Sequence, residues 1–160
     1  MNDAGIVHIE DLRRLKLIPP HSRMKAGPVV VVECIEEIPC DACVAACPTR
    51  AIVKKDINSV PSLDFDKCTG CGLCLLACPG LAIFLVDLSI GNGKGRVTMP
   101  YELLPIPSKD DKVILLNRKG EPVGEGKIVK VVRSDDKTYV VTVEMEDSKV
   151  MDVRAFKVIV

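Results

Sequence analysis

Tryptophan is absent, and aromatic residues make up only 3% of the 160-residue chain. Any core must therefore be assembled from Val, Ile and Leu. Neither charge sign is in excess, with 22 Lys and Arg against 22 Asp and Glu. That balance gives no basic field and argues against a nucleic-acid partner. Long apolar runs are missing too. The longest, Leu81 to Ile90, is broken by Asp87 and is far too short to span a bilayer, so no membrane span is expected. Met1 to Glu10 has neither the basic start nor the apolar run of an export signal, which predicts a cytoplasmic protein. A phosphate loop is also lacking. In Ile90-Gly-Asn-Gly-Lys94-Gly95, the lysine is followed by glycine and then by the strand-like Val97-Thr98-Met99-Pro100, not by Ser or Thr opening a helix. The third glycine of a dinucleotide fingerprint falls one residue early, so residues 91–95 read as a linker. Residues 96–160 contain no His, no Cys and no Ser in a nucleophile motif. No catalytic constellation is expected there. The two histidines, His8 and His21, read as surface residues.

What is present is cysteine, concentrated in one stretch. All eight lie between Cys34 and Cys78. The second run, Cys68-Thr-Gly-Cys71-Gly-Leu-Cys74-Leu-Leu-Ala-Cys78-Pro79, is C-x2-C-x2-C-x3-C-P. The first, Cys34-x5-Cys40-x2-Cys43-x3-Cys47-Pro48, differs only in its first gap. With no export signal, cysteines in such number read as metal ligands and not as disulfides. Three thiolates two residues apart on a tight loop can reach different irons of one cube. The fourth lies beyond a helical turn and points away, and proline ends that turn. This is the ligand spacing of a [4Fe–4S] cluster, and where two such runs occur the fourth cysteine of each serves the other cluster. Structural zinc sites use two separated C-x2-C pairs, a poorer match, and a non-redox zinc-binding interaction module is the rival reading from another class.

The two runs form an internal repeat. Cys40, Cys43, Cys47, Pro48, Ala51 and Ile52 recur at an offset of 31 as Cys71, Cys74, Cys78, Pro79, Ala82 and Ile83. A repeat that continues past the ligands implies duplication of a whole structural unit. Only Cys34 to Cys68, at an offset of 34, departs from it. Glu36 and Glu37 suit a solvated bulge and Pro39 a fixed return, so Cys34 is expected to ligate. Without it, Cys40, Cys43 and Cys78 would hold only a three-iron or labile cluster. Gly70 and Gly72 are expected where backbone must pass close to inorganic sulfur.

Residues 29–88 resemble the bacterial two-[4Fe–4S] ferredoxins. The resemblance implies a pseudo-twofold ferredoxin fold and one-electron transfer. It also implies one cluster on Cys34, Cys40, Cys43 and Cys78 and another on Cys68, Cys71, Cys74 and Cys47. The run Gly27-Pro28-Val-Val-Val-Val-Glu33-Cys34 through Cys47-Pro48 is similar to small iron–sulfur subunits that accompany FAD-dependent dehydrogenases of amino acids, amines or glycerol 3-phosphate. That implies relay of electrons between a flavin on a partner and a downstream acceptor, without a catalytic site in this chain. A stand-alone ferredoxin carrier is the alternative. The charge distribution agrees with docking to a basic partner surface: residues 29–90 carry a net −4, the flanks +2 each.

In order, residues 1–28 read as an N-terminal extension with a short helix over Glu10–Leu17. Residues 29–90 read as the cluster domain, with strands at Val29–Val32, Ala51–Lys54, Ser62–Phe65 and Ala82–Leu88 and helical turns at Asp41–Ala46 and Gly72–Ala77. Residues 91–95 read as the linker. Residues 96–160 read as an all-β interaction domain, a small antiparallel β-barrel, with strands at Lys112–Asn117, Lys127–Arg133, Tyr139–Glu146 and Val150–Val160 and an irregularity near Ala155. The fold class expected is α+β. The C-terminal domain is expected to dock the cluster domain onto the flavoprotein, so that truncation after Gly95 would leave the clusters assembled.

Overall fold

The computed structural model describes residues 5–135 and 137–159. Residues 1–4 of the N-terminal extension, Asp136 between the expected strands Lys127–Arg133 and Tyr139–Glu146, and Val160 at the end of the expected last strand lie outside the described residues.

Two short helices open the chain, α1 (Ile9–Arg14) and α2 (His21–Lys25). The first is shorter than the apolar spacing suggests, because Lys16 turns into positive φ directly after the Leu15 cap. Leu12, Leu17 and Met24 are buried. The second helix was not expected: five residues are too few for periodicity to register.

The cluster region runs β1 (Val29–Val32), α3 (Ala42–Ala46), β2 (Ile52–Val53), β3 (Ser62–Leu63), α4 (Leu73–Ala77) and β4 (Ile83–Gly91). β1 pairs antiparallel with β4, Val29 opposite Val86, and β2 pairs antiparallel with β3, Ile52 opposite Leu63. The repeat is visible as geometry. Helix bounds 42–46 and 73–77 differ by 31, and Arg50 and Leu81, also 31 apart, both take positive φ. At equivalent positions, the Ala51 and Ala82 amides donate to the sulfurs of Cys47 and Cys78, at 3.2 and 3.5 Å.

Residues 91–95 do not form a linker. Asn92 and Gly93, both at positive φ, make a two-residue hairpin loop joining β4 to β5 (Lys94–Tyr101). Two positive-φ residues match the right-handed twist of flanking strands, and Asn-Gly is the preferred pair for that conformation. Beyond it come β6 (Lys112–Asn117), β7 (Pro122–Arg133), β8 (Tyr139–Glu146), a 3-10 turn at Asp147–Lys149, and β9 (Val153–Val158). A register shift opposite Ala155 marks the expected irregularity.

All but β2 and β3 join one seven-stranded sheet in the order β1-β4-β5-β8-β7-β6-β9. Among the described residues it is open, not a closed barrel. Closure of the C-terminal strands would require β9 to pair with β5, but β9 pairs only with β6, and β4 holds that edge of β5 from Lys94 to Thr98. β9 instead packs across the fold, where Phe156 stacks on Tyr101 with ring centroids 4.7 Å apart.

The sheet separates two cores that share β1 and β4. Val29 and Val31 of β1, with Phe84 and Val86 of β4, face a core built mainly by β5 to β9. Val30 and Val32, with Ile83 and Leu85, face the cysteine layer. Val29–Val32 and residues 83–86 are therefore buried on two faces, which is why these segments are continuous apolar runs.

Candidate metal centres

Two separate cavities are each lined by four cysteines. Cys34, Cys40, Cys43 and Cys78 line one, of about 550 Å³, together with Glu33, Lys54 and an apolar wall that includes Ile35, Ile38 and Ile83. Cys47, Cys68, Cys71 and Cys74 line the other, a tighter cleft against Val30, Ile52 and Leu85. Cys47 thus lies with the second run and Cys78 with the first. The cause is local. α3 and α4 each end at a fourth cysteine in extended conformation, φ −82° at Cys47 and −75° at Cys78, which turns the chain away from its own loop.

The electrostatics follow the same partition. Burial pushes the Cys34 and Cys43 thiols up, and the charges of Cys78 and Cys40 push both further, with Lys54 opposing at Cys34. The Cys74 thiol is pushed up to about 12 by burial and then by Cys68, Cys71 and Cys47. At Cys47 burial also raises the pKa, but hydrogen bonds from Ile52, Thr49 and Ala51 outweigh it and hold the thiol below its ordinary value. Mutual repulsion between buried thiolates is what a polycation relieves, so this donor set fits a cluster that draws four thiolates together. Four cysteine sulfurs are the donors common to both cavities, and soft sulfur suits iron–sulfur chemistry.

The widened loop of the first run is solvated as expected: Glu36, Glu37, Ile38 and Pro39 are exposed. It is held at its base. The Cys40 amide donates to the Ile57 carbonyl at 3.2 Å, and the Lys54 ammonium donates to the carbonyls of Ile38, Cys40 and Ile57 at 3.3, 2.5 and 2.7 Å. In the second run, Arg23 donates to the carbonyls of Phe65, Gly27, Pro28 and Cys68 at 3.0, 3.1, 3.1 and 2.6 Å. Gly70 and Gly72 both line the second cavity, and Gly70 carries a further steric requirement. It has φ +71°, and a Cβ there would stand 2.4 Å from the Pro28 carbonyl oxygen. Gly72, at φ +80°, is the left-handed cap that starts α4.

Beside the first cavity lies a buried ion cluster. Glu33 shares the face of Val29 and Val31 and so points toward the C-terminal strands. Arg118 donates to it at 2.6 and 3.0 Å, and Arg154 at 2.5 Å. Arg154 also lies 5.0 Å over the Phe84 ring. Burial raises the Glu33 pKa, but the Arg118 hydrogen bond and the charges of Arg154 and Arg118 prevail and leave it lowered. Burial depresses Arg154, which Glu33 opposes. Glu33, Arg118, Arg154, Arg23 and Lys54 all escaped the sequence reading. Each acts through a partner distant in sequence, and no motif spacing marks it.

Residues 33–82, the same stretch, match the family of 4Fe–4S dicluster domains. An uncharacterized ferredoxin of Methanocaldococcus jannaschii is 40% identical over 58 residues, 36% of this chain and 34% of that protein. A sulfite dehydrogenase subunit of Allochromatium vinosum is 51% identical over 37 residues, 23% of this chain and 15% of that protein. The dissimilatory-type sulfite reductase beta chain of Archaeoglobus fulgidus is 35% identical over 86 residues, 52% of this chain and 21% of that protein. The chain thus spans about a third or less of the length of these relatives. No solved structure matches it significantly. The matched stretch takes in all eight cysteines. Among the described residues, no helix is long and apolar enough to cross a membrane.

Proposed function

We propose that this chain is an electron-transfer subunit carrying two [4Fe–4S] clusters. One would be held by Cys34, Cys40, Cys43 and Cys78, the other by Cys68, Cys71, Cys74 and Cys47, in a pseudo-twofold ferredoxin arrangement. The observation that carries the reading is the pair of cavities, each lined by four cysteines with the fourth ligand exchanged between runs. Each bound cluster would supply a one-electron site, with a potential set by charge, hydrogen bonding and exposure. The protein contributes the rest. The Ala51 and Ala82 amides donate to the crossing sulfurs, the β1–β4 face excludes water, and exposed Cys71 brings one edge of the second site to the surface.

The subunit role is supported by relatives named as subunits of sulfite dehydrogenase and sulfite reductase. We assign the partner as a flavoprotein oxidoreductase, on the acidic charge of residues 29–90 and on the resemblance of residues 27–48 to subunits that accompany flavin dehydrogenases. Anaerobic purification from the native source tests this. The expected result is a complex with stoichiometric flavin whose visible iron–sulfur absorption bleaches when the flavin is reduced by its substrate. A monomer that carries clusters and exchanges electrons freely would favour a stand-alone carrier.

A further inference from the structure

Each cysteine loop is gripped by one cation that comes from outside the ligand run it grips. Lys54 follows β2 and spends three hydrogen bonds on the carbonyls of Ile38, Cys40 and Ile57. Its side chain also lines the cavity of Cys34, Cys40, Cys43 and Cys78. Arg23 belongs to α2, in the N-terminal extension, and its four hydrogen bonds end on carbonyls, one of them that of Cys68 itself at 2.6 Å. Both cations are half-buried. Among the described residues, neither makes a hydrogen bond to a carboxylate. Asp56 feels the Lys54 charge, but its oxygens are engaged by Ser59 and the Asn58 amide and it is fully exposed.

Neutral acceptors leave the charge of a cation uncancelled. A unit positive charge in a half-buried position lowers the energy of a nearby site more when that site has gained an electron than before. Hydrogen bonds to carbonyls fix the cation without neutralising it, so it can act on potential as well as on shape. The two cations are not repeat equivalents. Lys54 grips the second cysteine of its run and Arg23 the first, and each is the kind of charge that can be removed independently of the other.

We propose that Lys54 and Arg23 are separate tuning residues, one for each cluster: Lys54 raises the reduction potential of the cluster on Cys34, Cys40, Cys43 and Cys78, and Arg23 that of the cluster on Cys68, Cys71, Cys74 and Cys47. Lys54 has a second task, tying down the base of the widened loop so that Cys34 and Cys40 face one cavity across five intervening residues. This rests on the two-cluster reading.

The test is an EPR-monitored redox titration of the full chain with its clusters, comparing wild type with Lys54→Gln and Arg23→Gln. Each substitution keeps a hydrogen-bond donor and removes the charge. Each should lower one midpoint, and the two should lower different ones. The expected fall in the reduction constant is roughly tenfold, about 59 mV for one electron. Unshifted midpoints, or one midpoint moved by both variants, would overturn the assignment. If Lys54→Gln loses iron from its site, Lys54→Arg decides. Iron retained at the wild-type midpoint supports a charge-borne clamp, and iron lost again reduces Lys54 to a shape requirement and overturns the tuning role. Failure of the two-cluster reading is distinguishable, because wild type itself would then lack two iron–sulfur midpoints.

Discussion

At the residue scale, the crossed placement of Cys47 makes the sharpest expectation. Cys47 lies beside Cys68, Cys71 and Cys74, although Cys43 is its neighbour in sequence. Cys47→Ala should therefore damage the cluster of the second run and spare the first. EPR and iron analysis of the variant check this, and loss confined to the Cys40 and Cys43 site would refute the crossing. Glu33 makes another. It lies between two buried guanidinium groups, and side-chain exposure is 8% for Glu33, 10% for Arg118 and 5% for Arg154. Removing one member of a buried pair leaves the other charge uncompensated, at a typical cost of 3–5 kcal/mol. Glu33→Ala should cost about 3–5 kcal/mol in denaturant titration of the protein. Glu37→Ala, on the exposed bulge, should stay within about 0.5 kcal/mol of wild type. Equal effects would mean that the ion cluster carries no stability.

At the element scale, the loop from Cys68 to Cys71 depends on one glycine. A methyl group at Gly70 meets backbone, the Pro28 carbonyl, and cannot be relieved by a rotamer change. Gly70→Ala also forces alanine into a left-handed conformation, which alone costs about 1–2 kcal/mol. The variant should lose iron at the second site before the first, as read by the EPR of the two clusters. Gly80→Ala meets no atom within 4 Å and is the control. Much of this scale was legible in the sequence. The ligand runs, the four-valine strand, the helical turns and the strand Tyr139–Glu146 are local signals, and local signals survive folding. The hairpin at Asn92-Gly93 was legible as well. Asn-Gly between apolar runs is a strong hairpin signal, but three glycines and a lysine read as a break. The cations on the loop carbonyls and the Glu33 cluster were not legible, because the residues they join lie as far apart as Glu33 and Arg154 and only the tertiary fold brings them together.

At the scale of the whole molecule, the two halves are one packing unit. Val29, Val31, Phe84 and Val86 belong to the cluster region, yet they fill the core of the C-terminal strands. Stripping those partners would expose four large side chains, each worth roughly 1.5–3 kcal/mol on burial. The sum is comparable to the whole stability of a domain, about 5–15 kcal/mol. Truncation after Gly95 would also remove Arg118 and Arg154, the two cations that hold Glu33. The shared core therefore predicts that the truncated chain fails to retain clusters, the opposite of what an independent docking domain would give. Iron content of the truncated protein, reconstituted anaerobically, distinguishes the two. A docking role for the outer face of the C-terminal sheet is compatible with this, since the shared core occupies the inner face.

The proposal of two cubane sites on eight cysteines is tested by iron and acid-labile sulfide analysis of the full chain, purified anaerobically. About eight of each per chain are expected, with brown thiolate-to-iron absorption. Zinc in place of iron, or about four irons with one cavity empty, would contradict the two-cluster assignment.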